Sequence, residues 1–218
     1  MTRRGSLLFT ALVTLAVCTA IPARALTLAD LNAGTDFVSG NGLLTFSFEP
    51  DSIVVTGTLS SDLSDYTVTI RESGFSLVGP MGVADGGVGD LALEYIVSAA
   101  QGSFIEGASL FFNGIAFGEG ASTNVAEDFL LDAELFADLA VAVTGGGLLL
   151  KTDAESFGTS VSSLAVVKDI QVSTSQLAQL AAVSVVNQDF SIVPEPATLM
   201  LLGSGLFGLA FLGSRARR

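Results

Sequence analysis

Large apolar residues occupy every second position in several stretches of the middle of the chain. The clearest runs are Leu44–Phe46–Phe48, Tyr66–Val68–Ile70 and Leu91–Leu93–Tyr95–Val97. A period of two is typical of a β-strand that buries one of its faces. The pattern therefore predicts strands at these places, with the apolar residues pointing inward.

Further strand candidates occur along the rest of the middle of the chain. They are 52–60, 104–113, 137–144, 161–172 and 181–191, most of them separated by Gly, Asp, Asn or Ser. Short strands at regular spacing without intervening helices favour an antiparallel β-sandwich. We therefore expect an all-β fold, with an antiparallel β-sandwich ectodomain over residues 26–192.

The stretch 124–138 fits two kinds of structure. Asn124 followed by Glu127 resembles a capping pair, which indicates a helix. The residues that fit an apolar helical face are Phe129, Ala133, Phe136 and Ala140. The sandwich context favours a strand instead, and strand is the prediction that we adopt.

The N-terminus has the three parts of a secretory signal. Met1 to Arg4 supply a basic start, 7–20 is an apolar run, and Ala23 and Ala25 are the small residues before a cleavage point. This predicts a signal peptide over residues 1–25, forming a signal helix that signal peptidase removes after Ala25. A lipoprotein signal would use Cys18, but the bulky Val17 before it argues against that alternative.

The C-terminus carries a second apolar run. No residue from 197 to 213 is charged, and as a helix this run would span about 25 Å, slightly less than a typical hydrocarbon core of about 30 Å. The basic tail 214–218 follows, and its Arg215, Arg217 and Arg218 are expected to act as a membrane stop on the cytoplasmic side. The sequence thus predicts a transmembrane helix at about 197–213.

The last 26 residues resemble the PEP-CTERM sorting signal of Gram-negative bacteria. The resemblance lies in Val193-Pro194-Glu195-Pro196, the glycine-punctuated apolar run and the terminal arginines. It implies that 193–218 is recognised by exosortase, an integral-membrane processing enzyme, with cleavage near Pro194–Pro196. It also implies an inner-membrane precursor that is later released or transferred to the cell envelope, the surface or the exterior.

Three stretches of the middle also resemble an uncharacterised ectodomain that precedes this signal in other PEP-CTERM proteins. They are Leu26 to Leu31, Asp90 to Leu110, and Val166 to Ile170 leading to Gln188 to Ser191. The resemblance supports the architecture and implies no activity.

Charge is divided sharply along the chain. Residues 26–193 contain 21 carboxylates against three basic residues, Arg71, Lys151 and Lys168, which gives a net charge of −18. Such a surface repels nucleic acid and anionic lipid headgroups. We therefore expect no nucleic-acid partner.

The residue types exclude several reaction classes. The chain has no His, and Cys18 is its only cysteine. A Ser-His-Asp catalytic triad, a Cys-His catalytic dyad and an ordinary zinc site therefore cannot form. No nucleophile elbow or phosphate-binding loop is present. We assign no catalytic residue, cofactor or metal ligand, and expect a protein that is not an enzyme.

Two other activities remain open as alternatives. A glycoside hydrolase needs only a pair of carboxylates at the right separation. The second alternative is a calcium- or carbohydrate-binding module. Oxygen ligands for calcium are offered by the acidic loop from Asp85 to Asp90 and, in other turns, by Asp51, Asp62 and Asp65. The favoured hypothesis is an exported surface or biofilm-matrix protein with a structural or interaction role, and extracellular polysaccharide as its expected partner.

Overall fold

The structure, a computed structural model, describes residues 25–195 and Ser204. Within this part of the chain there are fifteen strands, a short helix α1 (Leu28–Asn32) and a 3-10 turn (Leu63–Asp65). The strands are β1 (Leu26–Thr27), β2 (Phe37–Val38), β3 (Leu44–Ser47), β4 (Ile53–Gly57), β5 (Thr67–Ile70), β6 (Gly74–Val78), β7 (Met81–Ala84), β8 (Val88–Ala99), β9 (Ser103–Phe117), β10 (Ser122–Leu131), β11 (Glu134–Thr144), β12 (Leu149–Leu150), β13 (Thr152–Val161), β14 (Ser163–Ser173) and β15 (Leu180–Pro194).

The strands form two antiparallel sheets. Sheet A has the order β1-β5-β6-β15-β9-β13, and β7 also pairs with β15. Sheet B has the order β12-β11-β10-β14-β8-β3-β2, and β4 also pairs with β8. Buried residues from both sheets form one hydrophobic cluster. The architecture is consistent with the predicted β-sandwich.

The long strands β8 and β15 organise the two sheets. β15 pairs with β9 along nearly its whole length, and on its other side with β7 and then β6. β8 pairs with β14 in the same way, and on its other side with β4 and then β3. Each long strand therefore lies in the interior of its sheet, where both backbone edges are hydrogen-bonded.

The alternating pattern predicted the inward residues of these strands well. Leu91, Leu93, Tyr95 and Val97 on β8 are all buried. The inward prediction is wrong for Ile70, whose side chain is 36% exposed at the end of β5. The last residue of a strand lies at the rim of the sheet, where burial is incomplete.

The ambiguous stretch 124–138 is a β-hairpin, so the strand prediction is confirmed and the helical alternative is wrong. β10 and β11 are joined by a turn at Asp132 and Ala133, whose φ angles are 53° and 66°. Two successive residues with positive φ are the mark of the tight turns that join antiparallel strands. Phe129 on β10 is fully buried, whereas Ala133 of the supposed helical face lies in the exposed turn.

One helix interrupts the strands, against the expectation of none. Thr27 caps α1, because its hydroxyl accepts a hydrogen bond from the backbone N–H of Asp30 at 3.2 Å. The Asp30 carboxylate accepts in return from the Thr27 backbone N–H at 2.9 Å. This reciprocal pair is a capping box, and it lets Leu28 and Leu31 reach the core.

The centre of the core contains a cluster of aromatic rings contributed by both sheets. Phe46 stacks on Phe37 with 4.7 Å between ring centroids and meets Phe75 edge-on at 5.6 Å. Phe48 stacks on Tyr95 at 5.2 Å. These separations are typical of favourable aromatic pairs. The domain thus holds its two sheets together with a large apolar core.

Most of the predicted signal peptide 1–25 lies outside the described residues, which begin with the exposed Ala25 just before β1. The predicted transmembrane helix at 197–213 also lies outside them, apart from Ser204. Within the described residues, no helix combines the length and the apolar character needed to cross a membrane.

Candidate functional site

The predicted sorting segment begins inside the folded domain. Val193 and Pro194, its first two residues, are the last residues of β15 and lie opposite Phe104 and Ser103 of β9. The backbone N–H of Glu195 donates a hydrogen bond to the carbonyl of Gly102 at 2.9 Å. The segment is therefore continuous with the central strand of sheet A.

The other predicted processing residues cannot be placed in the same way. Pro196, Ala23 and the arginines of the basic tail, Arg215, Arg217 and Arg218, lie outside the described residues. Ala25 is exposed. Of the predicted processing residues, the structure therefore describes Ala25, Val193, Pro194 and Glu195.

The outer face of sheet A carries exposed apolar side chains in one row along β9. Phe111 is 37% exposed, Ile115 52% and Phe117 69%, with the polar Asn113 between them. The alternate residues of β9 point into the core, so the strand is apolar on both of its faces. The sequence predicted a strand ending at 113 and missed this row, although its period of two continues to Phe117.

A groove lies beside this row, where β15 is irregular. The register between β15 and β9 shifts between Val183 and Val185, next to Ser184. Small residues line the space, which has a volume of about 600 Å³, together with the side of Ile115. The small lining residues include Gly79, Gly82 and Ala182. The bulge and the small side chains together leave an open, mostly apolar depression on the sheet.

The polar side chains near the groove form hydrogen bonds with one another, which fixes their positions. The Asn113 amide donates to the Ser184 hydroxyl at 3.0 Å, and that hydroxyl donates to the Asn113 backbone carbonyl at 3.1 Å. The Lys151 ammonium donates to the Asn113 side-chain oxygen at 3.2 Å. The groove therefore combines an apolar floor with an amide and a hydroxyl, which suits a neutral polar ligand.

Charge divides the two outer faces of the sandwich. Arg71 forms an ion pair with Asp189 of β15 at 3.1 Å, and Lys151 bonds to Asn113 of β9, so both partly exposed basic residues of 26–193 lie beside sheet A. The outer face of sheet B instead carries a group of carboxylates. These are Asp90, Glu94, Asp128, Asp138 and Asp169. A polyanion can approach the domain more closely at sheet A.

Two of the carboxylates on sheet B are close neighbours. Burial and the adjacent Asp90 carboxyl raise the pKa of Asp169 to about 6, whereas a hydrogen bond from Gln171 acts in the opposite direction. The Gln171 amide donates to Asp169 at 2.6 Å. Two carboxyls in hydrogen-bond contact are closer together than the pair of a glycoside hydrolase, where about 5 Å or more separates them.

The acidic residues considered for calcium instead stabilise turns. Asp85 has a φ of 53° in the turn between β7 and β8, and its carboxylate accepts from the Ala178 backbone N–H at 2.7 Å. Asp62 accepts from the backbone and hydroxyl of Ser64. No group of three or more carboxylates is arranged to hold a metal ion in the part of the chain that the structure describes.

Comparison with known families finds one match. Residues 193–218 match the PEP-CTERM protein-sorting motif. The match confirms the resemblance drawn from the Pro-Glu-Pro triplet and the tail. It implies processing by exosortase, export, and anchoring at the membrane or surface. The search of curated proteins finds no match for the sequence.

Solved structures share only a remote likeness with the chain. The enzymatically active domain of tailspike protein 4 from bacteriophage CBA120 is 10% identical with a TM-score of 0.31, over 64% of this chain and 19% of that one. TmCBM61, solved with beta-1,4-galactotriose, is 14% identical with a TM-score of 0.31, over 66% and 88%. The Gap123 complex from Streptococcus agalactiae is 12% identical with a TM-score of 0.31, over 67% and 26%. Scores this low support no statement about function.

Proposed function

We propose that the chain is an exported surface or extracellular-matrix protein of a Gram-negative bacterium, processed by exosortase and serving a structural or interaction role without catalysis. The observation that carries the proposal is the PEP-CTERM motif at 193–218, which starts on the last two residues of β15. Removal of the signal peptide and of the tail would leave the sandwich as the mature protein.

Several features support a role without catalysis. The chain has no His, and its single cysteine lies in the predicted signal peptide. The acidic side chains of the turns, such as Asp62 and Asp85, are bonded to nearby backbone N–H groups. The neighbouring pair Asp90 and Asp169 lies on the outer face of a sheet, not in a cleft between elements.

Extracellular polysaccharide is the partner that the outer face of sheet A suits best. The face offers an open groove, ordered amide and hydroxyl groups at Asn113 and Ser184, and the exposed ring of Phe111. Sugars bind through hydroxyl groups and through the apolar faces of their rings, which pack on aromatic side chains. This surface makes a carbohydrate-binding module the second candidate, ahead of a calcium-binding module.

The sorting role is tested by replacing Pro194, Glu195 and Pro196 together with alanine. We expect the variant to keep the C-terminal tail and to accumulate as a larger, membrane-associated form on an immunoblot of host-cell fractions. Ser191→Ala is the control, since Ser191 is exposed on the same strand but lies outside the motif. Normal size and location of the triple variant would contradict the proposal.

The ligand role is tested by calorimetry of the exported protein against a panel of glycans, with calcium as a separate titrant. We expect binding that Phe111→Ala and Asn113→Ala weaken about tenfold or more, a loss of about 1.4 kcal/mol. Leu135→Ala is the control, because Leu135 is 63% exposed on sheet B. If neither sheet A substitution changes the affinity, the ligand binds at another surface. If no glycan gives a heat of binding, the carbohydrate-binding proposal is wrong.

A further inference from the structure

Four polar side chains meet in the interior of the sandwich. Lys168 of β14 forms an ion pair with Glu127 of β10 at 2.9 Å, and its ammonium also donates to the side-chain carbonyl of Gln188 on β15 at 2.9 Å. The Tyr95 hydroxyl donates to the same Glu127 oxygen at 2.9 Å. Lys168 and Glu127 belong to sheet B and Gln188 to sheet A, so the cluster joins the two sheets.

These groups are sealed from water, and two of their atoms have no hydrogen-bond partner. None of the four residues is more than 3% exposed. The second carboxylate oxygen of Glu127, Oε2, and the amide nitrogen of Gln188, Nε2, are buried and unpartnered among the described residues. An unsatisfied buried donor is costly, so an unpartnered amide NH₂ in a core needs a physical explanation.

Burial favours the uncharged form of the amine. Removal from water lowers the pKa of Lys168, although the Glu127 carboxylate beside it opposes this. Burial, together with Glu127, raises the pKa of the Tyr95 phenol well above its usual value, so Tyr95 stays a neutral donor. Burial therefore favours a neutral amine at Lys168, which is the nucleophilic form of lysine.

The amine lies next to a carbon that it can attack. Lys168 Nζ is 2.9 Å from Gln188 Oε1. Because a carbonyl bond is about 1.2 Å long, Nζ lies at most about 4.1 Å from Cδ of the amide. Reacting atoms in near-attack arrangements are about 3–3.5 Å apart, so a small shift of the side chains suffices.

We propose that Lys168 and Gln188 become joined by an intramolecular amide bond, with Glu127 as the catalytic acid and base. Glu127 takes a proton from the Lys168 ammonium, and the neutral Nζ forms a bond to Cδ of Gln188. Glu127 then delivers a proton to Nε2, the Cδ–Nε2 bond breaks, and Glu127 accepts the second proton of Nζ. Ammonia leaves, taking up the remaining proton as ammonium, and nothing is oxidised or reduced.

The product accounts for the arrangement around it. The reaction removes the unpartnered Nε2 of Gln188 together with the buried charge of Lys168. The new amide keeps one N–H that can donate to Glu127. It also joins β14 of sheet B to β15 of sheet A in a domain that has no cysteine from residue 26 to 193 and therefore no disulfide.

Mass spectrometry of the expressed full-length chain tests the bond. After denaturation and digestion with trypsin and a Glu-specific protease, a free Lys168 gives separate peptides 156–168 and 169–215, since the Glu195–Pro196 bond is not cut. The cross-link blocks trypsin at Lys168, so we expect one peptide 156–215, lighter than its sequence mass by one ammonia, about 17 Da. Recovery of the two separate peptides at their sequence masses would overturn the proposal, as would a Lys168–Glu127 link formed with loss of water.

Variants identify the atoms involved. In Gln188→Met, which keeps the side-chain volume but has no carbonyl, we expect complete cleavage after Lys168. In Glu127→Gln, checked for folding by circular dichroism, we expect most of the chain to stay uncross-linked. Gln171→Asn, on the outer side of β14, is the control that keeps the link. A mass loss that persists in Gln188→Met would overturn the pairing, and unchanged linkage in Glu127→Gln would overturn the role of Glu127.

Discussion

Asp169 is held next to another carboxyl on the adjacent strand, and this arrangement has a consequence for stability. Its pKa is raised to about 6 in the folded protein, whereas an unfolded aspartate titrates near 4. Between these values the folded state binds more protons than the unfolded state. The contribution of Asp169 to stability is therefore largest at low pH and decreases as the pH rises from about 4 to about 6.

Asp169→Asn should remove this dependence. We expect the variant to be more stable than the wild type at pH 7 by about 1 kcal/mol, after allowing for solvent screening of a partly exposed group, and nearly equal to it at pH 4. Urea unfolding at a series of pH values measures this, with Glu134→Gln, an exposed carboxylate on β11, as the control. A stability difference between variant and wild type that is the same at pH 4 and pH 7 would contradict a raised pKa at Asp169.

Phe46 is an apolar residue whose ring is fully buried in the aromatic cluster. We expect Phe46→Ala to lower the free energy of unfolding by about 3–5 kcal/mol, because the lost ring leaves a cavity that the neighbouring side chains fill only in part. Phe117→Ala, at a position that is 69% exposed, should change it by less than about 1 kcal/mol. Chemical denaturation of both variants checks this, and equal losses would show that the core is placed wrongly.

At the scale of single residues, sequence predicted burial better than it predicted partners. Alternation placed Tyr95 inward, and Tyr95 is 3% exposed. Nothing in the local pattern pairs it with Glu127, which lies 32 residues away and on a stretch that also fitted a helix. Contacts across strands depend on register, which is set by the whole sheet.

Among the elements, the turn from β11 to β12 makes a sharp test of backbone packing. A Cβ on Gly145 would collide with the backbone carbonyl of Gly118, whereas one on Gly146 would meet only the Thr144 hydroxyl at 3.8 Å. We expect Gly145→Ala to destabilise the protein by about 1–3 kcal/mol, and Gly146→Ala to change stability by less than about 0.5 kcal/mol. Thermal unfolding of the two variants measures the difference. A larger loss of stability in Gly146→Ala than in Gly145→Ala would contradict the close packing of Gly145 against Gly118.

The strands that sequence found mostly alternate buried and exposed residues. β13 (Thr152–Val161) was missed because its side chains are mostly exposed, so burial imposes no alternation on it. β6 and β7 were missed because glycines interrupt short runs, and Gly74 and Gly82 allow the close approach of β15. The helix α1 was also missed, because five residues are too few to show a helical period.

For the whole molecule, the sequence predicted the class of fold and the sorting motif at 193–218, but not the groove on sheet A. The acidic surplus of 26–193 was plain from composition. The placement of carboxylates on the outer face of sheet B, and of the two partly exposed basic residues beside sheet A, required the register of all the strands. The groove likewise depends on a bulge in β15 that no local pattern reveals.

The sorting motif continues directly from β15, and we propose that the sandwich is the mature part of a precursor that is processed at both ends. Mass spectrometry of the protein isolated from fractions of its host cell tests this most directly. We predict a chain in the envelope or the medium that begins at Leu26 and ends near Pro194–Pro196. Recovery of all 218 residues, unprocessed, from the cytosol would contradict the account.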